Sequence, residues 1–133
     1  MIPEFNDDGY LPARVHRATL EEVAARFGQE TELRRVQVES LGWLVDLARR
    51  AGASRLIVNG SFVTDRPEPN DVDCLLLIEA GFPRDAAAEK ELLEGLPFIE
   101  LKIVGPAEFT LFVEQIFGTD RQGAPKGMIE VAL

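Results

Sequence analysis

The chain has 133 residues, 46% of them apolar, and a formal net charge of −9 from 14 basic against 23 acidic side chains. That length suits one domain, enough to bury roughly two-thirds of the unfolded surface around a single core. The acidic balance argues against autonomous, wide-area nucleic-acid binding, which needs a basic footprint, and no apolar run approaches the ~20 residues of a membrane span.

Residues 2–18 carry Pro3, Gly9 and Pro12 and read as an extended N-terminal arm, with His16 as a surface histidine. Residues 1–8 lack the basic and apolar stretches of a signal peptide. Thr19 and Glu22 have capping-box spacing. Leu20, Val23, Ala24 and Phe27 follow as a helical stripe that Gly28 stops. A second helix is expected over Thr31 to Ala51, with Leu33, Val36, Leu41, Leu44 and Leu47 near helical period and Gly52 closing it. Trp43 lies off that stripe and reads as a packing or interface residue.

Arg55 to Asn59 reads as a strand buried on both faces, and residues 62–70 as a loop with Pro67, Pro69 and Asn70, containing a short helical turn. Asp71 to Ile78 is a second strand. Its Cys74, the only cysteine, reads as a buried thiol. A lone cysteine precludes an internal disulfide and fits a reducing compartment, so the chain is read as cytoplasmic. Asp85 to Leu93 is expected to be helical, Phe98 to Val104 a third strand, and Ala107 to Phe117 a fourth helix with Phe109, Leu111, Phe112 and Ile116 as its apolar set. Residues 118–127 form a turn-rich loop, and Met128 to Leu133 a last strand. The pattern predicts an α+β fold, a mixed α/β sandwich with helices flanking the sheet. The link between the first two strands is short for a parallel crossover, so the sheet should be partly antiparallel.

The chemistry concentrates at Gly60-Ser61 and Asp71-Val72-Asp73, which are separated by nine residues and bounded by apolar runs. Alternation places Asp71 and Asp73 on one face of their strand, with Cα atoms about 6.6 Å apart. Two such carboxylates repel unless a cation holds both charged. Mg²⁺ suits them, because it takes one or two carboxylates and completes its shell with water and phosphate oxygens. Gly60 lets the backbone approach a ligand, a turn of successive N–H groups can cradle an anion, and Ser61 adds a hydroxyl. Glu100, on the face of its strand opposite Ile99, Leu101 and Ile103, is the candidate third carboxylate. Its alternative role is a solvated residue paired with Lys102. Arg121 and Lys126 read as solvated turn residues within possible reach of a phosphate.

This order of residues resembles the DNA polymerase β-like nucleotidyltransferase superfamily, whose small bacterial minimal nucleotidyltransferases are closest in size. The stretch from Ile57 to Cys74, the arm around Gly9 to Pro12, and the ending Asp120 to Gly127 also resemble an uncharacterised bacterial family of that superfamily. The resemblance implies a mixed sheet with flanking helices, and transfer of a nucleoside monophosphate from an NTP with two Mg²⁺ ions. Gly60 and Ser61 would hold the triphosphate, and Asp71, Asp73 and a third acid, here Glu100 where Asp is more usual, would be catalytic and hold the metals. The 133 residues leave no room for a separate acceptor-binding domain beside this one. The acceptor would then be a protein or a small hydroxyl compound, with toxin–antitoxin and defence modules of the superfamily as precedents. The alternative is a non-catalytic protein of the same fold, acting as an antitoxin or interaction module. A purely structural domain with an incidental acidic turn is the third.

Overall fold

In a computed structural model covering residues 1–133, the chain forms an α+β fold around one mixed five-stranded sheet. The capping box closes as its spacing predicts. The Glu22 amide donates to the Thr19 hydroxyl at 3.1 Å, and the Thr19 amide donates to the Glu22 carboxylate at 3.0 Å, starting α1 (Leu20–Phe27). Helix α2 (Glu32–Ala51) is capped by Thr31 and ends at Gly52, whose φ of 82° suits glycine. Strand β2 (Arg55–Asn59) runs into a short 3₁₀ turn, Gly60–Val63. Then come β3 (Val72–Leu77), α3 (Ala86–Glu94), β4 (Ile99–Val104), α4 (Pro106–Leu111) and β5 (Met128–Val131).

Two expectations need correcting. Residues 2–18 are not all extended arm, because Val15–Ala18 forms β1, which pairs parallel with β5. His16 is therefore not a surface residue. It is 3% exposed, and its Nε2 lies 2.7 Å from the Pro12 carbonyl. A polar side chain at an inward position breaks the alternation that would mark a strand, and the partner strand lies at the other end of the chain. The fourth helix is also not α-helical to Phe117. It passes at Phe112 into a π-helical turn, Phe112–Ile116. Phe112, Val113 and Phe117 thereby reach the sheet, while Leu111 and Ile116, expected to be buried, are exposed.

The strand order is β1-β5-β2-β3-β4. β2 pairs antiparallel with both β3 and β5, as the short β2–β3 link requires, and β3 pairs parallel with β4 through the α3 crossover. One face of the sheet is apolar except at His16. Leu56 and Val58 of β2, Val72, Cys74 and Leu76 of β3, and Ile129 and Val131 of β5 pack there against α1, α2 and α3. The opposite face is divided. Ile57, Leu75, Leu77 and Val104 bury under Phe109 of α4, and this cover does not extend to the polar side chains at the start of β3.

Candidate active site

At that uncovered end, three side chains form a row across three strands. Asn59 closes β2 opposite Asp73 of β3, and Asp73 lies opposite Glu100 of β4. All three belong to the face that α4 leaves open, and they line a cleft of about 250 Å³ with Lys102 and Phe117. Asp71 precedes β3 by one residue and is exposed on the same face by alternation. The sequence-based grouping of Asp71, Asp73 and Glu100 is thus brought together around one strand register. Asn59 was missed. Its signal was slight: a single polar residue ending an apolar strand immediately before Gly60.

The electrostatics of the row are those of crowded acids. Burial raises the Asp73 carboxyl to about 6, and the charge and close approach of Glu100 push in the same direction, followed by the charge of Asp71, while Lys102 opposes them. Lys102 Nζ stands 3.9 Å from Glu100 Oε1, with both side chains largely in solvent. Glu100 thus faces Asp73 across the strands and shares a long ion pair with Lys102 on its own strand. Asn59 is 5% exposed, and its Oδ1 has no hydrogen-bond partner. A buried unpaired acceptor is costly. Cys74 faces the other way, into the apolar core, where burial pushes its thiol far up and leaves it inert.

Gly60 joins this row to the loop that follows. Its φ is +77°, and a Cβ at this position would lie 2.0 Å from Asp73 Oδ2. Only a residue without a side chain lets the Asp73 carboxylate lie against the turn. Gly60 and Ser61 also line an adjoining cleft of about 260 Å³, together with Tyr10, Thr64, Arg66 and Lys126. Lys126, expected to be a solvated turn residue, is half-buried in this wall, whereas Arg121 stays exposed and does not line it.

The loop between Gly60 and Asp71 is held from beneath by α2. Arg34 is 2% exposed, and its guanidinium donates to the carbonyls of Phe27 at 3.0 Å, Phe62 at 2.8 Å and Thr64 at 3.0 Å, and to that of Arg66. Gln37 donates to the Pro69 carbonyl at 2.6 Å, and the Thr31 hydroxyl to that of Pro67 at 3.3 Å. A planar fork of five donors can fix several carbonyls at once, which an ammonium group cannot do. An arginine in an amphipathic helix reads as a solvated residue, so this anchor gave no signal in the sequence.

The donor set of the row consists of oxygen alone, the chemistry that suits a hard divalent cation such as Mg²⁺. The side chains share a face but do not converge into a closed group of three ligands. A cation there would offset the repulsion at Asp73, so the carboxylates of the row fit such an ion.

No curated protein and no solved structure matches the chain. A family model does match residues 3–132, and by that match the chain belongs to a family of unknown function, DUF6932.

Proposed function

We propose that the protein is a Mg²⁺-dependent nucleotidyltransferase of the DNA polymerase β-like superfamily, working in the cytoplasm on a protein or small hydroxyl-bearing acceptor. The observation that carries this reading is the acidic row set against a glycine turn: Asp73 lies between Asn59 and Glu100, with Gly60 left bare where a Cβ would strike its carboxylate. Asp71, Asp73 and Glu100 would hold the metal, two ions on the superfamily pattern. When bound, the metal supplies positive charge that stabilises the attacking and leaving oxygens of an in-line displacement.

The chain's own residues supply position. Gly60 and Ser61 hold the phosphate chain, and Arg34 and Gln37 keep the loop from Gly60 to Asp71 in its fold. The acceptor oxygen then bonds to the α-phosphorus as the α–β bridging P–O bond breaks. The electron pair leaves with pyrophosphate, and the hydroxyl proton passes to solvent.

Calorimetric titration with ATP, GTP, CTP and UTP, with and without Mg²⁺, tests this reading. Binding should need both the metal and the aspartates, and should favour one base. If a folded Asp71→Asn/Asp73→Asn protein binds NTP and releases pyrophosphate as the parent does, the reading is wrong.

A non-catalytic interaction protein of the same fold, such as an antitoxin, is the second reading. It is favoured by Trp43, which is 47% exposed and lines a shallow cleft with Val36, Glu39, Pro97 and Phe98. It predicts a stable partner complex that survives loss of Asp71 and Asp73. A toxin–antitoxin or defence setting would suit either reading.

A further inference from the structure

The sheet ends in two free edges, β1 and β4, and they are unlike. β1 has four residues and carries Arg17, which is 83% exposed. Short length and a charge at the edge are common guards against pairing with another chain. β4 runs six residues, Ile99 to Val104, without proline, glycine or a break in register, and it pairs with β3 alone.

The backbone of β4 has groups free to bond. The Val72 amide donates to the Phe98 carbonyl at 2.7 Å, and the Ile78 amide to that of Val104 at 2.9 Å. Even-numbered residues of the strand therefore turn their amides and carbonyls toward β3, and by alternation Leu101 and Ile103 turn theirs outward. Ile99 also turns its carbonyl outward, while its amide closes a turn on the Leu96 carbonyl at 3.2 Å.

The side chains select the partner. Ile99, Leu101 and Ile103 pack on the main core yet stay partly exposed. On the other face Glu100 and Lys102 are 59% and 49% exposed, and their mutual contact is a long 3.9 Å. Read from either end, the run Ile99-Glu100-Leu101-Lys102-Ile103 has the same apolar positions with the two charges exchanged. Antiparallel pairing of this run with itself, centred on Leu101, sets Ile99 opposite Ile103 and Glu100 opposite Lys102. Leu101 then forms the hydrogen-bonded pair that its outward backbone requires. Glu100 and Lys102 fall at the non-hydrogen-bonded positions, where facing side chains lie closest and opposite charges stabilise. Centring on Glu100 or Lys102 would set a charge against its own copy, and parallel pairing in register would do so at both.

We propose that two copies of the chain join through β4 in this antiparallel register, forming one continuous sheet across a two-fold axis. Each Leu101 amide donates to the partner's Leu101 carbonyl, and each Ile103 amide to the partner's Ile99 carbonyl. The partner's Lys102 comes beside Glu100, so each acidic row gains a cation from the other copy. The pairing needs only the strand edge and does not rest on the transferase reading. A single strand pair is a small interface, so the dimer should be reversible.

Sedimentation equilibrium of the full chain, from micromolar to millimolar concentration, tests this. It should show a species of 14.7 kDa converting to one of twice that mass. Lys102→Glu and Glu100→Lys each set like charges opposite one another, and each should weaken self-association about tenfold or more. Mixed in equal amounts, the two variants are complementary again and should form a mixed dimer. Circular dichroism confirms that each is folded. Hydrogen exchange on the parent needs no variant: the Leu101 and Ile103 amides should exchange more slowly at high concentration than at low. A parent that stays monomeric throughout overturns the proposal and leaves the edge to an extended segment of another protein. A dimer that both folded variants retain, or whose Leu101 and Ile103 amides exchange alike at both concentrations, places the contact elsewhere and also overturns it. Monomeric variants that fail to associate on mixing would overturn the register.

Discussion

The open face of the sheet carries acids at both ends, and the two ends treat them differently. At one end Glu130 of β5 meets Arg55 of β2 in a two-point contact, with Nη2 to Oε1 at 2.6 Å and Nε to Oε2 at 2.9 Å. The guanidinium also lies over the Phe109 ring, 4.9 Å from its centroid. That carboxyl is held below its ordinary value by the hydrogen bonds from Arg55. At the other end Asp73 meets Glu100, an acid facing an acid, and its carboxyl rises to about 6. The first arrangement is complete within the chain. The second costs stability unless something from outside binds to it. Crowded, perturbed acids in a cleft are a common mark of a functional site, and paired ones a mark of structure.

The largest expected effect concerns how the acidic end is held. Arg34→Ala leaves the carbonyls of Phe27, Phe62, Thr64 and Arg66 without their buried donor, and should lower unfolding free energy in urea by about 3 kcal/mol. Arg34→Lys should recover only part of this, for want of the fork. Gly60→Ala should cost about 2 kcal/mol, because a positive φ and a displaced Asp73 carboxylate act together. Were Gly60→Ala neutral, Asp73 would have no need of the bare turn.

Glu130→Gln and Asp73→Asn set the two ends directly against each other. The first should destabilise by about 1–2 kcal/mol, discounted for the part-exposed Arg55. The second should stabilise the metal-free protein by about 1 kcal/mol at pH 7, likewise discounted for solvent screening. The pH dependences have opposite signs. Glu130 has a lowered carboxyl, so its contribution is present above its ordinary 4.5 and is lost as pH falls through the folded value. Asp73 has a raised one, so the fold gains stability as pH falls from above about 6 toward its ordinary 3.8. Urea unfolding from pH 8 to pH 3, on the parent and both variants, separates the two contributions.

Much of this was legible in the sequence for local reasons. The Thr19–Glu22 box, the glycine stops and the short β2–β3 link are read within a few residues, and each has one physical solution. Glu100 was placeable because its strand alternates cleanly with Ile99, Leu101 and Ile103. The rest depended on distant partners. β1 is four residues long, carries an inward histidine, and pairs with the last strand of the chain. Arg34 looks like any helical surface arginine until the carbonyls of another loop converge on it. Lys126 sits in a turn whose position beside Gly60 follows only from how the chain folds back between Tyr10 and Asp120.

The central claim is that Asp73 and Glu100 form a cation site and not an idle acidic edge. Thermal unfolding across a Mg²⁺ titration at pH 7, with the parent protein beside Asp73→Asn, tests it most directly, since an ion that binds only the native state must raise apparent stability. The account predicts a melting temperature that climbs with Mg²⁺ in the parent and stays flat in Asp73→Asn. Equal responses in the two proteins, or none in the parent, would contradict it.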